Sequence, residues 1–408
     1  MPTPPHSSSR SAYLAAVLGF GAILFEGYDL VVYGTAVPAL LAYSPWALTP
    51  AKVGAIGSAA LFGMFVGAPT AGWLSDRFGR RTVFIALLAF FSFMMILVAL
   101  ASTPLLLGLF RFIAGVGFGG IPPTAIALVN EVAPAKRKVL FAGGMLTGFG
   151  FGGVLAGALS VPLLAHAGFR GLFAVGAVPL FTLVPLAAWF LPESPSYRRD
   201  SPVDSEMVPV SNPLVGVLRG RLAKTTLLFT IANFFSLLVT YGLLTWLPQL
   251  MRGAGYAIGP ALHFLLPLNL GAVGGALFCA WLSDRIGGRS VAVGMFLGAA
   301  ILLEMLTIRW PAGVTTLLVL MAGAAVGGNQ SVLFGFMATT YPDETRATAI
   351  GVASGIGRLG AAVGPLVCGL LLSEKVGLSG NFLVFVSAAL IAGVAILFLP
   401  RIRMSSPN

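Results

Sequence analysis

The chain has 408 residues, of which 57% are hydrophobic and only 9% charged, and it carries a formal net charge of +11. A soluble domain averages about 25% charged residues; here apolar stretches of roughly 20 residues or more, enough to cross a bilayer, follow one another along the chain. This excludes an ordinary soluble enzyme, and the basic excess does not indicate nucleic acid, because the Lys and Arg residues lie between apolar stretches and not on one polar face.

The N-terminal MPTPPHSSSR is short and polar and lacks a cleavable signal pattern, so the first apolar stretch reads as a retained span. Twelve spans are predicted, at roughly 13–37, 51–74, 82–101, 103–130, 139–165, 169–191, 223–250, 259–282, 290–309, 313–340, 347–373 and 379–399. They are continuously apolar, and in lipid only helices or closed barrels satisfy every backbone group, so the expected class is an all-α membrane protein. The first span holds two acids, Glu26 and Asp29, within LFEGYDLVVYG. Arg111 lies in the fourth span and Arg358 in the eleventh. The polar stretch 192–222, beginning PESPSYRRD, divides an N-terminal half, 1–191, from a C-terminal half, 223–408. Cys279 and Cys368 lie inside spans, so no disulfide framework is expected.

Orientation follows from the short loops. Most of the 24 Lys and Arg residues fall in the N-terminal tail, the loops at 75–81, 131–138, 192–224, 283–289 and 341–346, and the C-terminal tail. These mark one side as cytoplasmic, with both termini inside. The halves also repeat. GWLSDRFGRRT (72–82) returns as AWLSDRIGGRS (280–290), and Gly148, Gly150, Gly153 and Gly157 correspond to Gly355, Gly357, Gly360 and Gly364. Parallel six-span halves are a transporter architecture.

GWLSDRFGRR between the second and third spans resembles the G-x-L-[AS]-D-R-x-G-R-[KR] loop of the major facilitator superfamily, with a degraded copy after the eighth span. Read physically, Gly72 and Gly79 allow a tight turn and close helix approach, and Asp76 is placed to cap a helix or pair with a basic neighbour. The resemblance implies a twelve-helix fold in two pseudo-symmetric halves. It also implies a cytoplasmic gate built from Gly72, Asp76, Arg77, Gly79 and Arg80, with Asp284 and Arg285 in the second copy.

A charge at the bilayer centre costs about 2.5–3.5 kcal/mol on insertion scales and marks function by default. Measured along the helices, Glu26 lies about 20 Å, Asp29 about 24 Å and Arg358 about 17 Å from the inner ends of their spans, and Arg111 about 18 Å from the inner face. Glu26 and Asp29 share a helix face. Two acids and two arginines could serve only to lock a bundle, but buried pairs are a weak device for stability. The repeat also argues against a scaffold role: Glu26 aligns with Asn233, Asp29 with Ser236 and Arg358 with Phe151, so the charges are not duplicated.

EGYD resembles the D-G-x-D element in the first span of the aromatic acid:proton symporter family, with Glu26 where that family usually has Asp. RFIAGVGFGGIPPTAIALVNE (111–131), WLPQLMRGAG (246–255) and GGNQSVLFGFMATTYPDETRATAIGVASGIGRLGAAVGP (327–365) are similar to its fourth, seventh, and tenth and eleventh spans. The resemblance implies a proton-coupled importer of a small organic anion, an aromatic carboxylate. Arg358 would bind the carboxylate, Asp29 and Glu26 would carry or relay the proton, and Arg111 would tune them. Asn233, Asn329 and Gln330, on spans that line the cavity in the resembled fold, are expected to bind substrate, since a buried amide needs partners. Tyr33, Tyr241 and Phe334 could stack on a substrate ring. Apart from substrate and protons, the lipid bilayer of a bacterial inner membrane is the expected partner, and the chain is expected to act as a monomer. No metal cluster, phosphate loop or nucleophile triad is present, so neither cofactor nor enzyme activity is expected. A drug exporter of the same fold would carry G-x-x-x-G-P-x-x-G-G in the fifth span, where GFGFGGVLAGA lacks the proline. A sugar porter, suggested by PESP after the sixth span, fits two intramembrane arginines less well. A non-transporting receptor would carry an added soluble domain.

Overall fold

Thr-Pro dipeptides open two of the early helices. Thr49 Oγ1 accepts from Lys52 N at 3.4 Å and Thr103 Oγ1 from Leu106 N at 3.3 Å, while the following proline sits where its missing N–H costs nothing. The computed structural model describes residues 9–134, 137–191 and 220–400, and its elements are α-helices. They run α1 Ser9–Ala42, α2 Pro50–Phe78, α3 Arg80–Leu100, α4 Pro104–Val132, α5 Lys138–Leu146, α6 Gly148–Val175, α7 Val178–Phe181, α8 Leu183–Phe190, α9 Gly220–Gly253, α10 Ile258–His263, α11 Leu265–Ile286, α12 Gly288–Met305, α13 Ala312–Thr340, α14 Asp343–Ser373 and α15 Leu378–Leu397. Among the described residues, 11 helical stretches are long and apolar enough to cross a membrane, and a shorter apolar one covers Val178–Phe190. The linker expected at 192–222 and both tails lie largely outside the described residues.

The fifth and sixth spans depart from the continuous helices expected at 139–165 and 169–191. The fifth starts as α5 and breaks at Thr147. It then continues through α6 to a bend at Gly168, whose φ of 61° only glycine adopts readily. The sixth begins after that bend and breaks again at Gly176–Ala177 and at Thr182. Pro179 and Pro185 explain the second set of breaks, since neither can donate to the carbonyl one turn back.

Two compact units are present. One comprises the described residues within Met1–Val203, Leu244–Arg252 and Tyr256–Leu266; the other comprises those within Asp204–Leu243, Gly253–Gly255 and Pro267–Asn408. Within the first, α2 lies against α4 so closely that a Cβ on Gly63, Gly67 or Gly115 would overlap the carbonyl of Phe112, Val116 or Ala60. Within the second, Gly271, Gly275 and Gly323 stand in the same relation to Leu320, Ala324 and Leu268, between α11 and α13. Each of these is the repeat partner of the first set. Lipid supplies no hydrophobic drive between helices, so such backbone contact is what holds them together.

The repeated loop keeps its geometry as well as its sequence. Gly79 has φ 85° and Gly287 φ 87°, and each N–H reaches back to a serine carbonyl, Ser75 at 3.1 Å and Ser283 at 3.0 Å. Arg81 donates to the Ala188 carbonyl at 2.5 Å, at the end of α8, and Arg289 to the Leu397 carbonyl at the end of α15. These duplicated arginines satisfy orphan helix-end carbonyls. Two expectations for this loop need correction. Gly72 is not a point of close approach, for a Cβ there would meet nothing within 4 Å. Asp76 does not cap α3. Its N-cap is Gly79, while Asp76 sits exposed one turn earlier in α2.

Gly79→Ala is expected to cost about 1–3 kcal/mol, because alanine is forced into a glycine-only backbone region. Gly72→Ala, in an open helical position, should be neutral or stabilise by up to about 1 kcal/mol. Thermal unfolding of the two variants checks this, and equal losses would contradict the assignment.

Candidate functional site

The acid-bearing helix is pressed onto α6. A Cβ on Gly27 would overlap the Phe149 carbonyl, and one on Gly152 the Leu24 carbonyl. This leaves Glu26 and Asp29 3% and 1% exposed, and Arg111 on α4 is 2% exposed. Asp29 Oδ1 lies 3.6 Å from Arg111 Nη1. That is longer than the roughly 2.7–2.9 Å of a charge-assisted hydrogen bond. Asp29 Oδ1 and Arg111 Nη1 and Nε make no hydrogen bond. The two charges thus attract without being locked in a directional bond.

Arg111 is gripped by rings. Its guanidinium carbon lies 4.3 Å from the Tyr33 ring centroid and 5.6 Å from that of Phe173. The two rings are inclined by 31° with centroids 6.4 Å apart. Ring faces carry negative quadrupole density, which favours a desolvated cation by about 2 kcal/mol. Tyr33 is fixed in turn by its hydroxyl, which donates to the Val53 carbonyl at 2.5 Å on α2. Tyr28, next to Asp29, donates to the Leu172 carbonyl at 2.8 Å. One turn of the sixth span, Leu172–Phe173, therefore holds both the acid helix and the arginine, just before that span breaks. Phe173 was not foreseen from sequence, because no spacing links it to Arg111. Tyr33, expected to face a substrate ring, has Arg111 over its own face here.

In the second unit, Asn233 and Ser236 occupy the positions that Glu26 and Asp29 hold in the first, and both are buried. Gln330 on α13 joins them. Its Nε2 donates to Asn233 Oδ1 at 2.7 Å, and its Oε1 accepts from Ser236 Oγ at 3.1 Å. Asn233 Nδ2 donates to the Ala353 carbonyl at 3.1 Å on α14. A Cβ on Gly357 would overlap the Asn233 amide, so the chain passes there with no space to spare. Arg358, half-buried, is the next residue. Asn329 turns away from this network, its Nδ2 reaching the Ala292 carbonyl at 3.5 Å on α12. Tyr241 is half-buried, and Phe334 is 38% exposed.

At the loop between α2 and α3, Arg80 pairs with Glu131 at the end of α4. Glu131 closed the fourth-span stretch quoted above, and an acid at a helix end opposite a basic loop was the available signal. Arg77 lies 5.6 Å over Trp73, and Arg285 lies 4.1 Å over Trp281, a second duplicated contact. Asp284, like Asp76, is exposed. Among the described residues no cluster of His, Cys, Asp and Glu could hold a metal ion.

The chain matches the model of the Major Facilitator Superfamily over residues 19–327 and 268–408. It is 38% identical to a gentisate transporter of Corynebacterium glutamicum, over 96% of this chain and 88% of the relative. It is 35% identical to a benzoate transport protein of Acinetobacter baylyi, over 95% of this chain and 89% of the relative. Among solved structures it superposes on a D-xylose–proton symporter with a TM-score of 0.77 at 18% identity, covering 95% of this chain and 97% of that one.

Arg111→Leu leaves Asp29 buried without its cation and is expected to cost about 3–5 kcal/mol. Adding Asp29→Asn removes the stranded charge and should recover most of that loss. Unfolding temperatures of the two single variants and the double variant check this. Additive losses would mean that the residues do not act as a pair.

Proposed function

Because the chain belongs to the Major Facilitator Superfamily, we propose that it is a secondary transporter that moves a small aromatic carboxylate together with protons by alternating access. The chain is an integral membrane protein, and as a member of a transporter family it carries solute without converting it. The observation that supports the coupled reading best is the buried Asp29–Arg111 pair, charged groups held at membrane depth without a fixed hydrogen bond. The names of the relatives, a gentisate transporter and a benzoate transport protein, support an aromatic acid as cargo.

In this reading Arg358 binds the substrate carboxylate through its guanidinium fork. Asp29 takes and releases the transported proton, Glu26 relays it, and Arg111 changes its hold on Asp29 as the proton comes and goes. Arg80, Glu131, Arg77 and Arg285 belong to the cytoplasmic gate, as do Gly72, Asp76, Gly79 and Asp284. The protein would reside in a bacterial inner membrane as a monomer with both termini inside. Uptake of labelled gentisate into proteoliposomes under an imposed pH gradient tests the function. Failure to accumulate it or any other benzoate would end this proposal.

Two outcomes are specific to the assigned charges. Arg358→Ala should lose anion binding by at least about tenfold while keeping its unfolding temperature, and Lys should rescue poorly. Titration of the purified variants measures this, and wild-type affinity in the Ala variant would remove Arg358 from the site. The second outcome follows from the charge count: Glu26, Asp29, Arg111 and Arg358 sum to zero when ionised. A bound monocarboxylate adds one negative charge, and one proton restores neutrality. By linkage, protonation then strengthens substrate binding, so affinity should rise as outside pH falls while the substrate stays ionised. The loaded carrier crosses neutral. A potassium–valinomycin potential at equal pH should drive little uptake, and strong uptake under inside-negative voltage alone would require more than one proton per anion.

A further inference from the structure

We propose that Gln330, braced by Asn233 and Ser236, reads a ring hydroxyl of the substrate, so that hydroxybenzoates bind in preference to unsubstituted benzoate. This rests on the aromatic-acid reading above and adds a selectivity to it.

A carboxamide offers two N–H donors and a carbonyl oxygen with two lone pairs. Gln330 spends one N–H on Asn233 Oδ1, 2.7 Å away, and one lone pair on Ser236 Oγ, 3.1 Å away. One donor and one acceptor remain. Both partners are fixed, for Asn233 is fully buried and Ser236 2% exposed. Asn233 is itself committed to the Ala353 carbonyl. The Gln330 amide plane is therefore set before any ligand arrives. Gln330 is half-buried, unlike its two buried partners.

A phenolic hydroxyl is both donor and acceptor, which matches the spare capacity of this amide. The repeat gives a second reason. Where the first unit places two ionisable groups, Glu26 and Asp29, the second places an amide and an alcohol that do not titrate. Such groups are suited to a neutral polar atom and not to a proton. With the carboxylate assigned to Arg358, one residue beyond the Gly357 that packs on Asn233, the polar atom left on a hydroxybenzoate is its hydroxyl. Asn329 does not compete for this role, because its amide nitrogen is turned to the Ala292 carbonyl. A site built to hydrogen-bond a hydroxyl discriminates strongly against the analogue that lacks it, because its polar groups are then left without a partner.

The test compares benzoate, 3-hydroxybenzoate and 4-hydroxybenzoate, which differ by one hydroxyl, in titrations of the purified full-length protein. Wild type should bind the better hydroxy isomer about tenfold or more tightly than benzoate. Gln330→Met keeps the length of the side chain and removes its hydrogen bonds. It should erase that preference while benzoate affinity stays within about twofold. Ser236→Ala removes one brace and should give an intermediate ratio, which keeps the test decisive if the Met variant does not fold. An unchanged ratio in both variants, or equal losses for all three ligands, would make the network purely structural and overturn the proposal. A wild type that binds the hydroxy acids no better than benzoate overturns it too. A wild type that binds none of the three acids would instead strike down the aromatic-acid reading on which it depends.

Discussion

A guanidinium inside a bilayer has to be neutralised and gripped at once, and the first unit is arranged around doing both for Arg111. Neutralisation comes from Asp29 at 3.6 Å, and the grip comes from the faces of Tyr33 and Phe173. Rings suit this task better than hydrogen-bond acceptors would. They hold a cation without consuming its N–H groups, which stay available for a carboxylate. The helix contacts follow from the same need. The hydroxyl of Tyr33 ties α1 to α2, and that of Tyr28 ties α1 to the sixth span, so the clamp is referenced to three helices.

The two units share a frame and differ in what it carries. Glycine-to-carbonyl contacts, the positive-φ glycines at 79 and 287, the arginines at 81 and 289 and the stacked Trp–Arg pairs all recur. The polar groups at membrane depth do not. One unit has Glu26, Asp29 and Arg111; the other has Asn233, Ser236, Gln330 and Arg358. Packing constrains backbone approach, which tolerates little change. The pair of side chains projecting from each first helix has been free to diverge into a charged set and a neutral set.

Much of this was legible in the sequence because membrane solvation makes both the spans and their exceptions conspicuous. Continuous apolar runs marked the eleven membrane-crossing stretches found among the described residues, and four charges within the predicted spans stood out on cost alone. The duplicated loop was readable because its glycine is dictated by φ and not by packing. The breaks in the sixth span were not, since hydropathy is blind to a missing N–H at Pro179 or Pro185. Phe173 was hidden for another reason. A ring that holds a cation has the same residue identity as a ring that faces lipid, and only the fold distinguishes them. Arg81 and Arg289 looked like topology signals, and it took the positions of the Ala188 and Leu397 carbonyls to show their other use. Asp76 and Gly72 were over-read for the converse reason: a motif fixes residue types, and neither residue makes the cap or the helix contact that its type permits.

The glycine contacts between α2 and α4, and between α11 and α13, carry a mechanical consequence. Where side chains interdigitate, helices can slide by a rotamer change at each contact. Here main chain rests on main chain, and no rotamer stands between them to yield. Each such pair therefore behaves as a laminated beam, stiff against shear along its length. Any deformation the protein undergoes is displaced to where the lamination stops, at interrupted segments such as the sixth span, which follows the bend at Gly168 and breaks at Gly176 and Thr182.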